Sequence, residues 1–138
     1  MANIYKNAQY NLTTTSLTTV YTVPANRTAI VKNIQISNEH SSNNLVEVFV
    51  TDSSASVDYE IYHKSLASGE TVNAALAPVI LESEDILKVK AGVANVVEGI
   101  VSYLEIFDEK SAWLIWFQFQ KKIQIKFGII VNLWLLML

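Results

Sequence analysis

The chain predicts an all-β fold, an antiparallel β-sandwich or jelly roll of about eight strands, followed by an atypical apolar C-terminal extension. Three observations lead there. Apolar and polar side chains alternate in short runs, as in residues 45–51, where Val46, Val48 and Val50 share one parity and Leu45, Glu47 and Phe49 the other. Successive strand side chains point to opposite faces, so alternation marks a sheet with one face in a core. Clusters of Pro, Gly, Asn, Asp and Ser recur between these runs, roughly every 8–12 residues. No stretch before residue 107 carries a helical apolar stripe, and the Ala/Leu-rich run from Ala74 to Leu81 has Pro78 inside it, which breaks a helix.

The elements follow in order. Leu17 to Val23 is Thr-rich and β-branched, and Pro24-Ala-Asn26 closes it. Thr28 to Ser37 comes next, with Ile30, Ile34 and Ile36 on one parity. A polar loop, Asn38 to Asn44, precedes the Leu45–Thr51 strand, and Asp52 to Ser56 is the following turn. In Val57 to His63 the residues Val57, Tyr59 and Ile61 alternate with Asp58, Glu60 and Tyr62. Ser68-Gly-Glu70 turns into Thr71–Leu76; Pro78 opens Val79–Glu82; Ser83-Glu-Asp85 turns into Ile86–Lys90; and the last strand reaches Ile106. The expected core includes Ile34, Ile36, Val46, Val48, Val50, Leu87, Val89 and Leu104.

Near residue 110 the chemistry changes. The chain to Lys110 holds all thirteen Asp and Glu and has a net charge of −6; Ser111 to Leu138 has no acid, carries Lys121, Lys122 and Lys126 and contains all three Trp. Residues 1–107 are therefore read as the β-sandwich domain and 108–138 as the extension. Phe117 to Phe127 alternates almost strictly, a strand period. The apolar run 127–138 is shorter than the roughly 20 residues a helix needs to cross a bilayer, and joining it to the segment before it places two Lys and three Gln mid-membrane, so no membrane span is expected.

Composition narrows the function. Cys is absent, which fits a reducing compartment or a protein stabilised by assembly. The bases of the body are scattered and the chain is mildly acidic, which argues against nucleic acid. The N-terminus lacks the apolar core of a signal peptide, so the sequons at Asn11 and Asn26 are read as chance. His40 and His63 stand apart without a cysteine, too few ligands for zinc. The Glu82-Ser-Glu-Asp85 cluster reads as a solvated turn, lacking the Gly and spacing of a calcium loop. Ser and His occur without a Gly-x-Ser-x-Gly elbow, and four glycines supply no phosphate-cradling loop. Tyr5, Tyr10, Tyr21, Tyr59, Tyr62 and Tyr103 are read as packing residues, with a sugar-stacking platform as the alternative. No catalytic, cofactor-binding or metal residue is assigned, and no enzyme is expected.

Three segments together carry a resemblance. Thr19 to Asn38 (TVYTVPANRTAIVKNIQISN), Leu81 to Val89 (LESEDILKV) and Ile100 to Ile106 (IVSYLEI) resemble, in order and spacing, small virion structural proteins of tailed bacteriophages of the marine type. The likeness covers roughly residues 10–107, and Glu84 stands where the pattern usually has Gly. It implies a building block of the capsid or tail, assembled in the host cytoplasm into the virion, without cofactor or catalysis. Its partners are other virion proteins and further copies of itself, with a trimer expected. A carbohydrate- or receptor-binding module of a phage fibre is the alternative. The pattern ends near Ile106, which leaves three readings of the extension: an out-of-frame addition, a β-extension docking on a neighbour, or a membrane segment.

The body has a complete run of strands before Asp108, so a chain ending at Lys110 is expected to keep the denaturation midpoint of the full chain and to be more soluble. The Trp and Phe of the extension, if they were core residues, would each contribute about 1.5–3 kcal/mol. An unfolded 1–110 chain beside a cooperatively unfolding full chain, by urea titration, would reverse this division.

Overall fold

The computed structural model describes residues 3–107 and 116–123. It forms two compact units, Met1–Phe107 and Asp108–Leu138.

The first unit is a sandwich of nine strands: β1 (Asn3–Asn11), β2 (Thr18–Thr22), β3 (Arg27–Asn38), β4 (Asn44–Asp52), β5 (Val57–Leu66), β6 (Thr71–Asn73), β7 (Val79–Leu81), β8 (Ile86–Ala91) and β9 (Val97–Phe107). One sheet runs β1-β9-β3-β6, with β7 also paired to β3; the other runs β2-β8-β4-β5. All pairs are antiparallel. If β6 and β7 count as one interrupted strand, the eight strands trace two interlocked Greek keys, the jelly-roll order. Pro78 lies in the interruption, where the missing N–H costs no ladder bond.

The core lies between the sheets. Leu12, Val23, Val31, Ile34, Ile36, Val46, Val48, Leu66, Leu81, Leu87, Val89 and Val97 are its largest fully buried side chains. Leu104 is buried as expected, whereas Val50 is half-buried, near the end of β4.

Three strand pairs, β2–β8, β3–β9 and β4–β5, shift register, and two of these shifts bear on the expected faces. The β3–β9 register shifts between Val31 and Asn33. Ala29 and Val31 are buried before the shift and Ile34 and Ile36 after it. Ile30 is therefore out of phase with Ile34 and Ile36 and is only half-buried, because one extra residue reverses every later side chain. The second shift lies between Val48 and Phe49 opposite β5. Val57, Tyr59 and Ile61 all remain exposed, since β5 is a sheet edge and the opposite sheet does not cover it.

β1 is missing from the eight expected strands. Apart from half-buried Ala8 and Tyr10 its side chains are exposed, so it shows no alternation to read. In the second unit, residues 116–123 form a short helix, α1, where a strand was expected. Alternation stabilises a strand only where a partner strand and a core receive it. Gln and Lys favour helix locally, and Lys121 sits 5.4 Å from the ring of Phe117, one turn away. The rest of the expected strand, 124–127, lies outside the described residues. Among those residues no helix is long and apolar enough to cross a membrane.

Glu84 has φ 69°, the left-handed region that disfavours residues with a Cβ. It is the position at which the resemblance pattern carries Gly. Glu84→Gly is expected to stabilise the body by about 0.5–1 kcal/mol, the relief of left-handed strain less the added chain entropy of Gly, read as a raised urea midpoint at unchanged slope.

Candidate functional site

The densest polar cluster of the body is internal. Glu105 on β9 points between the sheets and is 2% exposed. Lys6 Nζ on β1 lies 3.1 Å from its Oε2, and the Arg27 guanidinium on β3 contacts the same oxygen. Tyr21 on β2, in the facing sheet, donates its hydroxyl to Oε1 at 3.0 Å. The Tyr21 ring packs on Tyr103 with centroids 4.0 Å apart, and the Arg27 guanidinium lies over the Phe107 ring at 4.4 Å. Burial raises the Glu105 pKa, but hydrogen bonds from Arg27, Lys6 and Tyr21 outweigh it and hold the carboxyl below its ordinary range. Burial, then the Glu105 hydrogen bond, push the Tyr21 phenol far above its usual value. Both carboxylate oxygens of Glu105 are thus engaged, and the cluster is a tie between sheets.

The outer face of the second sheet carries a smaller cluster. Glu47 and His63 are direct cross-strand partners on β4 and β5. His63 Nδ1 lies 2.6 Å from Glu60 Oε1 and 3.6 Å from Glu47 Oε1, and Lys90 Nζ lies 2.8 Å from Glu47 Oε2. The ligand atoms of Glu47, Glu60 and His63 fall within 4.8 Å of one another, a set that can coordinate a divalent ion. The same atoms also form a ladder of alternating charge with Lys90, an ordinary way to stabilise adjacent strands. His40 is elsewhere: its Nδ1 faces the hydroxyl of Ser42 at 2.7 Å and accepts from the Ser42 N–H. That is a local turn in an exposed loop, and no carboxylate holds the ring among the described residues.

The other sequence candidates resolve into structure. Asp85 accepts from the backbone N–H of Ser53 and of Glu82, and from the Ser53 hydroxyl, joining two turns. Gly69, at φ 70°, donates its N–H to the Asn38 carbonyl. The exposed tyrosines lie apart, Tyr5 and Tyr59 on different sheets, whereas Tyr21 and Tyr103 stack on each other and are buried. An open depression of about 610 Å³ on the first sheet is lined by Gln9, Tyr10, Asn11, Gln35, Ser37 and Glu98 among others. Its one aromatic ring, Tyr10, lies over Gly99, where a Cβ would collide with it, and its hydroxyl donates to the Gln35 carbonyl.

What the body leaves uncommitted are its edges. β1 ends one sheet and β5 the other, and both are long strands whose outer row of backbone groups meets no strand among the described residues. Large apolar side chains stand exposed along them and on the segment between β6 and β7.

No family model matches the chain, and no curated protein matches it. Among solved structures it is similar to a chain of the acid-stable capsid of Helicobacter pylori bacteriophage KHP30, at TM-score 0.51 and 13% identity over 78% of this chain and 90% of that one. Two looser overlays are a pentameric capsid protein from metagenomic phage sequences, at TM-score 0.40 and 18% identity over 75% and 64%, and a Bacillus endospore appendage pilus protein, at 0.45 and 10% over 77% and 86%. The first of these three establishes a fold shared with a phage capsid chain.

Because the Glu105 pKa is depressed on folding, its contribution is present above the unfolded value of about 4.3 and is lost as pH falls through the folded value. Glu105→Gln is expected to cost about 3 kcal/mol at neutral pH, the low end for breaking a buried pair since Lys6 and Arg27 keep some solvent. The two proteins should converge in stability below pH 4. Parallel curves from pH 7 to 2 would exclude the tie.

Proposed function

We propose that this chain is a structural component of a phage particle, associated with the capsid or tail and assembled as a homo-oligomer, with three copies the expected number. The observation that carries the reading is the pair of open edge strands with large apolar side chains exposed beside them. Soluble monomers blunt such edges, whereas assembly proteins use them. The fold shared with a phage capsid chain supports it as analogy. The resemblance of three segments to virion proteins supports it independently of that overlay. The chain acts by occupying a place in a lattice, and its chemistry is that of contact rather than turnover.

The fibre-module reading rests on the polar depression around Gln9, Asn11 and Gln35. Sugar-binding faces usually combine such amides with a free aromatic platform, and here the single ring is engaged with its neighbours. The building block is therefore the better-supported reading.

Mass spectrometry of gradient-purified particles encoded by the same genome is expected to recover peptides of this chain at a fixed copy number per particle. Its absence from particles, with the protein found only in the soluble lysate, would overturn the reading.

A further inference from the structure

An extra residue in β5 brings three metal-ligating side chains together. Glu47 pairs with His63, Val48 with Tyr62 and Phe49 with Glu60, so Ile61 has no counterpart on β4. In a regular strand, residues three apart point to opposite faces. The bulge turns Glu60 and His63 to the same face, beside Glu47.

The geometry suits a single ion. His63 Nδ1 lies 2.6 Å from Glu60 Oε1 and 3.6 Å from Glu47 Oε1, and the three donor atoms fall within 4.8 Å of one another. An ion with bonds of about 2.0–2.2 Å to nitrogen and oxygen holds its donors roughly 3.0–3.5 Å apart at octahedral to tetrahedral angles. Shifts of about an ångström or less in exposed side chains reach that spacing. Glu47 is the least exposed of the three, a fixed arm on which the other two can close.

The surrounding charge favours a cation. On this face Lys88 meets Asp58, and Lys90 meets Glu47 through Oε2, which leaves Oε1 to face His63. Glu60 meets no lysine or arginine among the described residues; its ion-pair partner is His63. With a neutral imidazole, two carboxylates therefore share one ammonium, and a divalent ion supplies the missing charge. One imidazole and two carboxylates suit a first-row ion such as Zn²⁺, with water on the open side. Ca²⁺ takes roughly six to eight oxygens, a demand this set does not meet.

We propose that Glu47, Glu60 and His63 form a site for a divalent transition-metal ion, with Zn²⁺ as its test case, that clamps the edge strand β5 to β4. The donors are Glu47 Oε1, Glu60 Oε1 and His63 Nδ1. The site does not depend on the virion reading. A charge ladder uses the same atoms but needs the imidazolium, whereas coordination needs the neutral ring, so metal uptake separates the two.

Calorimetric titration of the chelator-treated full chain with ZnCl₂ tests the proposal. One ion per chain is expected, bound in the micromolar range. His63→Ala and Glu60→Gln should each weaken binding about tenfold or more, and His40→Ala should leave it unchanged. Saturating Zn²⁺ should raise the melting temperature of the unmodified chain but not of His63→Ala, and should shift the Nδ1 resonance of His63 in a ¹⁵N imidazole spectrum. Glu60 and His63 are both exposed, so folding should survive; circular dichroism checks it, and either variant serves if the other fails. Uptake only at millimolar Zn²⁺, uptake unchanged in Glu60→Gln or in His63→Ala, or CaCl₂ binding as tightly as ZnCl₂ would each overturn the proposal.

Discussion

The buried carboxylate of Glu105 is the constraint on which the rest of the sandwich depends. It draws donors from β1, β2 and β3 while sitting on β9, so one side chain ties four strands and both sheets. Desolvating a carboxylate is costly, and only multiple charged donors offset it. The arrangement matters most for β1. That strand has little apolar periodicity, and a strand without it is poorly held in register. Here Lys6, opposite Tyr103, reaches Glu105 from only one face of the strand. A slip by one residue would carry Lys6 to the outer face and lift the Tyr10 ring off Gly99. Register on β1 is thus specified by one ion pair and one glycine, whereas on β4 and β8 it is specified by burial.

Single polar side chains fasten the ends of the sandwich in the same manner. Asn38, fully buried, donates its amide to the carbonyls of Ser42, Leu66 and Ala67 and accepts the His40 N–H. Asp85 does the corresponding work at the other turns, where its own backbone pairs with Val23. Buried polar groups of this kind stabilise only when every bond is made. Each such group therefore favours one arrangement of the loops around it. The loops held this way are ordered turns, and the depression around Gln9, Tyr10 and Gln35 lies on the first sheet.

Much of this was legible in the sequence, and the parts that were not share a cause. Val46, Val48, Leu87 and Val89 announce themselves because a strand covered on one face must alternate. Ile30 misleads because it lies next to a bulge, which depends on the register between strands rather than on either strand alone, and Ile61 misleads because it lies on an edge strand that the facing sheet does not cover. The bulge in β5 also puts Glu60 and His63, three residues apart, on one face with Glu47. No local pattern could have gathered those three, and their ladder was missed. Glu105 was visible only as a letter in the resembling segment; that it is buried follows from Tyr21 and Arg27, 84 and 78 residues away in sequence. In residues 116–123 alternation pointed to a strand, and local propensity produced a helix instead.

A body of about a hundred residues leaves a large share of its surface wet and has modest stability alone. This one gathers Lys6 of β1, Tyr21 of β2 and Arg27 of β3 around Glu105 of β9. The side with β5, β6 and β7 receives less: β6 and β7 are three residues each, and β5 is covered by no facing strand along most of its length. That side exposes Val57, Tyr59, Ile61, Leu76 and Ile80. In the assembly proposed above, burying that surface against a neighbour would add hydrophobic area where the fold alone supplies least. The thinly covered edge and the buried charge of Glu105 are thus two consequences of one shortage, a core too small to hold every strand by burial alone.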